Sequence, residues 1–373
     1  KAIRINALGV QPRCRRTAIS ATVGVELPKR VIGTVPVRED GSAFFKAPSG
    51  IALQLQTLDK NGMALLTEKT FFYLQPGENR SCVGCHQPAH NAPVPSGTTA
   101  LIPRQAPVTP TPPAGPSAPW GMSFKRNVQP VLDRYCIGCH GLKKTAGKVD
   151  LITDAGIYPK NMKELINRGQ HWVGLKSRMW DKDEQYNVSR PMRFYSHSNK
   201  VAHMLAGNAE KCSPELAAIH HTQLNMDRTS YLRIIEWLDL NAQACGDLFP
   251  NKVEDRRLDD NTLKTFRAYV KECLGGELAD QPALALINPV QPDESRILMA
   301  PLPTAAGGWG QIKGYADRND PTFKKMVELV TAAIVKRPNE NTQGWEPTLK
   351  MGGGDGWFIE SRKKLRTELT GKK

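Results

Sequence analysis

Between residues 31 and 74 the apolar positions follow the period of strands. Val31-Ile32-Gly33-Thr34-Val35 comes first, then Ala43-Phe44-Phe45, then Ile51, Leu53 and Leu55 with Gln54 and Gln56 on the other face. Glu39-Asp40-Gly41 and Asp59-Lys60-Asn61-Gly62 supply residues that tolerate positive φ, as tight hairpins require. The pattern predicts a small antiparallel β domain. Residues 103–119 are so rich in proline and small side chains that they cannot bury a core, which predicts an extended linker. Beyond it the period becomes helical. One helix is expected over residues 124–135 and another over 230–241, with Tyr231, Ile234, Ile235 and Leu238 on one face. A third follows Asp320, a good N-cap, with Pro321 at the first helical position and Phe323, Met326, Val327, Val330 and Ile334 as the buried stripe. The glycines at 352–356 lack a following Lys-Ser/Thr and read as a turn, not a phosphate loop.

Two short motifs change the picture from fold to chemistry. Cys82-Val83-Gly84-Cys85-His86 and Cys136-Ile137-Gly138-Cys139-His140 both fit C-x-x-C-H, the attachment pattern for haem c. Two thiols three positions apart can bond the two vinyl groups of a porphyrin, and the next residue brings an imidazole under the iron. Two C-x-x-C pairs are also what a four-Cys zinc site uses, but zinc has no need of a His after each pair. Finding both histidines by accident is an event on the order of one in 2000, so two covalently bound haem c groups are expected, on Cys82/Cys85 and Cys136/Cys139, with His86 and His140 as metal ligands. This assignment divides the chain into a β domain at 1–101 ending in the first motif, a Pro-rich linker at 102–120, and a helical cytochrome c domain at 121–373. The fold class is α+β and multidomain, with a small antiparallel, β-sandwich-like N-terminal domain followed by a mainly helical one.

The second axial ligands must come from the remaining side chains. His221, with His220 next, is favoured for the second haem because the pair precedes the 230–241 helix in the same domain. His171, His197 and His203 are weaker candidates, and none of the ten methionines is marked as axial, since methionine mostly fills gaps in cores. His90 lies about one helical turn beyond His86 and therefore on its side of the porphyrin, where it could compete for the iron, bind a second metal or act catalytically; alternatively it is an exposed residue beside the linker. Cys14, Cys212, Cys245 and Cys273 stand outside the motifs, and one bridge among the last three is as open as burial of free thiols. Haem attachment and thiol oxidation both belong outside the cytoplasm, so a periplasmic or otherwise extracytoplasmic location is expected.

Charge bears on partners. The chain has 51 Lys and Arg against 36 Asp and Glu, a net +15 that suits an acidic partner. The basic residues are scattered and not interleaved with aromatics, which argues against nucleic acid. No run of roughly 18 apolar residues predicts a membrane span, and Lys1 opens no recognisable signal peptide, so the chain reads as mature or truncated.

The run Val31-Ile32-Gly33-Thr34-Val35-Pro36-Val37, then Asp40-Gly41-Ser42-Ala43-Phe44-Phe45-Lys46, and Tyr73-Leu74-Gln75-Pro76-Gly77-Glu78 leading to Cys82, resembles the middle domain of hydrazine synthase alpha-subunit-like proteins. Asn127-Val128-Gln129-Pro130-Val131-Leu132, Trp237-Leu238-Asp239-Leu240-Asn241 and Ser295-Arg296-Ile297-Leu298-Met299-Ala300-Pro301-Leu302 resemble the helical domain of that family and of planctomycete-type multihaem cytochromes. The resemblance implies an N-terminal propeller ahead of these parts, which this sequence lacks. It also implies a first haem with an open distal face as reaction centre and a second, bis-histidine haem as electron relay, with His221 at the family's distal histidine. His90 falls where the family carries an iron-binding tyrosine, a change that alters the electronics of the site. The first functional expectation is a dihaem cytochrome transferring electrons to other redox proteins or cytochromes as a subunit of a hetero-oligomeric periplasmic complex. The alternative is a haem enzyme acting on a small nitrogen or oxygen compound at a five-coordinate first haem. A third is a mainly structural subunit.

Overall fold

The structure is a computed structural model describing residues 2–8, 29–68, 71–82, 106–115, 122–142, 145–156, 159–170, 191–214, 216–217, 221, 224–244 and 256–336. Strands β1 (Ala2–Leu8), β2 (Lys29–Pro36), β3 (Leu53–Leu58) and β4 (Ala64–Thr67) form one antiparallel sheet in the order β2-β1-β3-β4. Gly41 and Gly62 take φ of 83° and 85° at the two predicted turns. The Asp59 carboxylate accepts from the Asn61 and Met63 amides and closes the second turn. The predicted strand at Ala43-Phe44-Phe45 is reduced to a bridge between Phe45 and Val108.

The central strand, β1, lies outside the predicted strand region, although its alternation was there to be read. Ile5 and Ala7 face an apolar core with Val35, Ile51 and Leu53. Arg4 and Asn6, on the other face, are buried too, as are Gln54 and Gln56 of β3. Polar alternation here does not mark a solvent face: helices, not a second sheet, cover it. The Arg4 guanidinium pairs with Asp239 at 2.7 Å and donates to the Gly62 carbonyl, and Gln56 donates to the Asp239 carbonyl.

The helical part is built around α1 (Gln129–Tyr135), α2 (Lys160–Arg168), α3 (Lys200–Leu205) and α4 (Arg228–Asp239). Helix α4 buries Tyr231, Ile234, Ile235 and Leu238 as its pattern predicts, but Arg233, Glu236, Trp237 and Asp239 are buried as well, so it runs through the core instead of lying on it. A π-helical turn at Phe124–Val128 leads into α1. Pro130 has no N–H to give the carbonyl one turn back, and the ladder there widens, with Gln129 N–H reaching Phe124 O. Arg233 takes up the freed acceptors, donating to Asn127 O at 2.7 Å and Arg126 O at 3.0 Å while pairing with Glu294 at 2.6 Å. Arg233→Ala is expected to cost about 3 kcal/mol, because several charge-assisted hydrogen bonds go at once. Urea unfolding measures it, and a loss below about 1 kcal/mol would mean that water replaces the guanidinium.

A second apolar cluster lies in residues 256–336, where α5 (Asp260–Leu274) and α6 (Pro321–Ala333) pack around Phe266, Val270, Met326 and Val330. Asp320 caps α6 as expected, accepting from Thr322 N–H. Leu329 and Ala333 join the buried stripe, Val327 is half-buried, and Ile334 begins a short strand, β5 here being Arg256–Leu258 and β6 Ile334–Lys336. The glycines at 352–356 lie outside the described residues.

Residues 106–115 lie against both parts. Val108 exchanges backbone hydrogen bonds with Phe44 and Lys46, and Thr111 with Thr34. A side chain on Gly33 would collide with the Thr111 carbonyl, and one on Gly115 with Arg233. Residues 106–115 of the proline-rich stretch are thus held down as a strap.

Candidate haem site

Helix α1 delivers the second Cys pair. Cys136 ends the helix with its amide on Leu132 O, and the next turn closes through His140 N–H to Cys136 O. Ile137, inside the motif, is buried and plugs the turn into the core. The chain then doubles back, with Ala146 N–H on Cys139 O and Leu151 N–H on His140 O. Gly141, at φ 146°, permits the reversal, since a Cβ there would meet Asp150 and Ile152. The loop ends with its Ala146 carbonyl 3.1 Å from His140 Nδ1. A carbonyl can only accept, so Nδ1 carries the proton and Nε2 is left with its lone pair for a metal.

The imidazole of His221 stands opposite. The two ring centres are 5.9 Å apart and the planes differ by 14°. An imidazole nitrogen binds a first-row metal at about 2 Å and lies about 1 Å from its ring centre, so two imidazoles across one metal have centres roughly 6 Å apart. Among the described residues no group of three or more His, Cys, Asp and Glu could hold a metal ion. Haem would supply four nitrogens of its own and would ask the protein for further ligands and two thiols. Cys136 is half-buried and Cys139 exposed, and burial, with Asp133 nearby, pushes the Cys136 thiol up to about 12.

Behind the turn stands a buried polar brace that sequence reasoning missed. Asn161 donates to Gln129 at 2.6 Å and to Leu151 O, and Gln129 donates to Asp133 at 2.7 Å. Burial pushes the Asp133 carboxyl up to about 7 against the Gln129 hydrogen bond and the Arg296 charge. Since Leu151 also bonds His140 O, the brace steadies the histidine turn. Arg134 and the Tyr135 hydroxyl both reach Asp227, the N-cap of α4.

The other candidates are dispersed. Cys82 is exposed after a turn in which Glu78 accepts from Gln75 N–H, while Cys85, His86, His90, His171 and His220 lie outside the described residues. His203 has both ring nitrogens engaged, by His197 O at 2.9 Å and Asn208 Nδ2 at 3.3 Å. Its neighbour His197 is buried beside Asp59, 3.4 Å away. Cys212 and Cys273 are free thiols, so they do not bridge each other, and Cys14 and Cys245 lie outside the described residues. No helix among the described residues is long and apolar enough to cross a membrane.

Residues 8–87, which take in most of the sheet, match the family model for the hydrazine synthase alpha subunit middle domain. Hydrazine synthase subunit alpha of Kuenenia stuttgartiensis is 24% identical across 60% of this chain. The chain spans about a third of that relative's length, 34%. The solved structure of Kuenenia stuttgartiensis hydrazine synthase matches 65% of this chain and 38% of its own at 18% identity and a TM-score of 0.43. Residues 8–87 of this chain are thus similar to the hydrazine synthase alpha subunit middle domain, and the described residues form a mixed α/β fold.

Proposed function

We propose that this chain is a haem-bearing oxidoreductase subunit of the hydrazine synthase alpha type. In this reading Cys136, Cys139, His140 and His221 hold an electron-relaying haem c, and Cys82, Cys85 and His86 hold a second one facing a small nitrogen or oxygen compound. The paired imidazoles of His140 and His221 beside two thiols carry the proposal. Haem, when bound, supplies one-electron chemistry at its iron. At the Cys136/Cys139 site His140 and His221 would hold that group and keep a substrate away from it. Ala146 O fixes the tautomer of His140, and the brace of Asn161, Gln129 and Leu151 holds its backbone. At the first site His90 is the candidate for a further ligand or catalytic group.

The sequence alone ranked pure electron transfer first. The name of the relative, a synthase, supports the enzyme reading over it. That the relative is a subunit supports a hetero-oligomeric assembly, and the +15 charge supports acidic redox partners. We place the domain division at 1–101, 102–120 and 121–373 and the protein outside the cytoplasm, where haem attachment takes place. Visible spectra of the purified protein, oxidised and dithionite-reduced, with and without carbon monoxide, test the reading. One haem that ignores the ligand and one that binds it is the expected result. Two silent haems would sink the enzyme reading and leave electron transfer, and no haem would sink both.

A further inference from the structure

The face of α4 that meets the sheet holds more acid than base. Asp239 is fully buried and fully engaged: Arg4 pairs with it at 2.7 Å, and the amides of Ala64 and Ser196 donate to its oxygens. One turn earlier lies Glu236, also buried, facing the same Arg4 and the same Asp239. Arg4 cannot neutralise both carboxylates. Arg233, the other cation on this part of the helix, is committed to Glu294. Gln56 of β3 is neutral and occupied by Arg4, Asn6 and Asp239 O. Among the described residues the strap at 106–115 also packs on Glu236, its Ala114 N–H donating to it, and this stretch contains no charged residue. The other carboxyl oxygen, Oε2, is buried without a hydrogen-bond partner.

We propose that Glu236 is the latch of the strap: protonated, it lets residues 106–115 lie closed over the seam between sheet and α4, and ionised, it drives them off so that water reaches the carboxylate. Closing an uncharged strap over a second carboxylate, which shares Arg4 with Asp239 and has one amide as its donor among the described residues, costs far more than burying a neutral carboxyl. Among the described residues few other bonds hold the strap. It is held by the backbone bonds of Val108 and Thr111 and by contact of Gly115 with Arg233. Burial pushes the Glu236 carboxyl from an ordinary 4.5 up to about 7. A carboxyl raised in the closed form binds its proton more tightly there. Closure is therefore favoured fully below about pH 4.5 and loses that support as pH rises through about 7. The strap lies in the chain between the two Cys motifs.

Hydrogen–deuterium exchange of the whole purified protein at pH 5.5 and pH 8, corrected for intrinsic rates, tests this without reference to haem. Peptides covering 106–115 should lose about tenfold or more of their protection at pH 8, since each unit of pKa difference is worth tenfold. Those covering β1 and β3 should not change. Glu236→Gln, which cannot ionise, should keep the strap protected at both pH values. A pH-independent strap in the wild type, sheet peptides that loosen in step with it, or a Glu236→Gln variant that opens like the wild type would each overturn the latch. Should Glu236→Gln fail to fold, the wild-type profile decides alone.

Discussion

His221→Ala should make the haem proposed at Cys136/Cys139 bind carbon monoxide in its reduced state, a property the wild-type site should lack. The expectation follows from the 5.9 Å separation and near-parallel planes of the His140 and His221 rings, which would leave an iron held between them no vacant position. The thioether cysteines are untouched, so haem staining on a denaturing gel should be unchanged. His203→Ala is the control. Its nitrogens are taken by His197 O and Asn208, so it should lose some stability and leave the spectrum alone. If His221→Ala keeps a carbon-monoxide-silent haem at this motif, His221 is not the opposing ligand, and the same substitution at His220 is the next measurement.

Arg4→Met should destabilise the protein by about 3–5 kcal/mol, the usual loss when one partner of a buried ion pair is removed and the other charge stays behind. Asp239 would keep its two amide donors but no cation, in a seam where both side chains are out of reach of water. Adding Asp239→Asn removes the stranded charge and retains an acceptor oxygen, so the double variant should recover about half of the loss. Urea unfolding of the wild type, both single variants and the double variant gives the coupling. A coupling below about 0.5 kcal/mol would mean that the sheet and α4 do not depend on this pair.

Local chemistry was legible wherever it is written in neighbouring residues. The positive-φ glycines at 41 and 62, the Asp320 cap with Pro321 behind it, and the apolar face of α4 all depend on contacts within a turn or two of chain. Each survives in the folded protein because nothing distant competes with it. Gln54 and Gln56 lie on the face the pattern gave them, but what covers that face was not legible. Their alternation with leucines says only that they point away from Leu53, and whether water or a helix waits on that side depends on another part of the chain. The π-helical turn before α1 was half legible: Pro130 announces a broken ladder, but Arg233, which repairs it, is distant in sequence.

The same division runs through the candidate site. Cys136, Cys139 and His140 are a covalent pattern of five residues, and a porphyrin edge and its iron are spanned by so short a run whatever the rest of the fold does. The sequence by itself therefore determined which group is proposed at this motif, along with the strands, caps and turns that need only local bonds. What only the tertiary structure decided is which histidine faces His140, which carbonyl orients it, and that Arg4, Glu236 and Asp239 meet under a proline strap. Those depend on close approach between segments far apart in the chain. Approach is set by how the sheet and helices pack as bodies, and no period or spacing in the sequence encodes a distance across that packing.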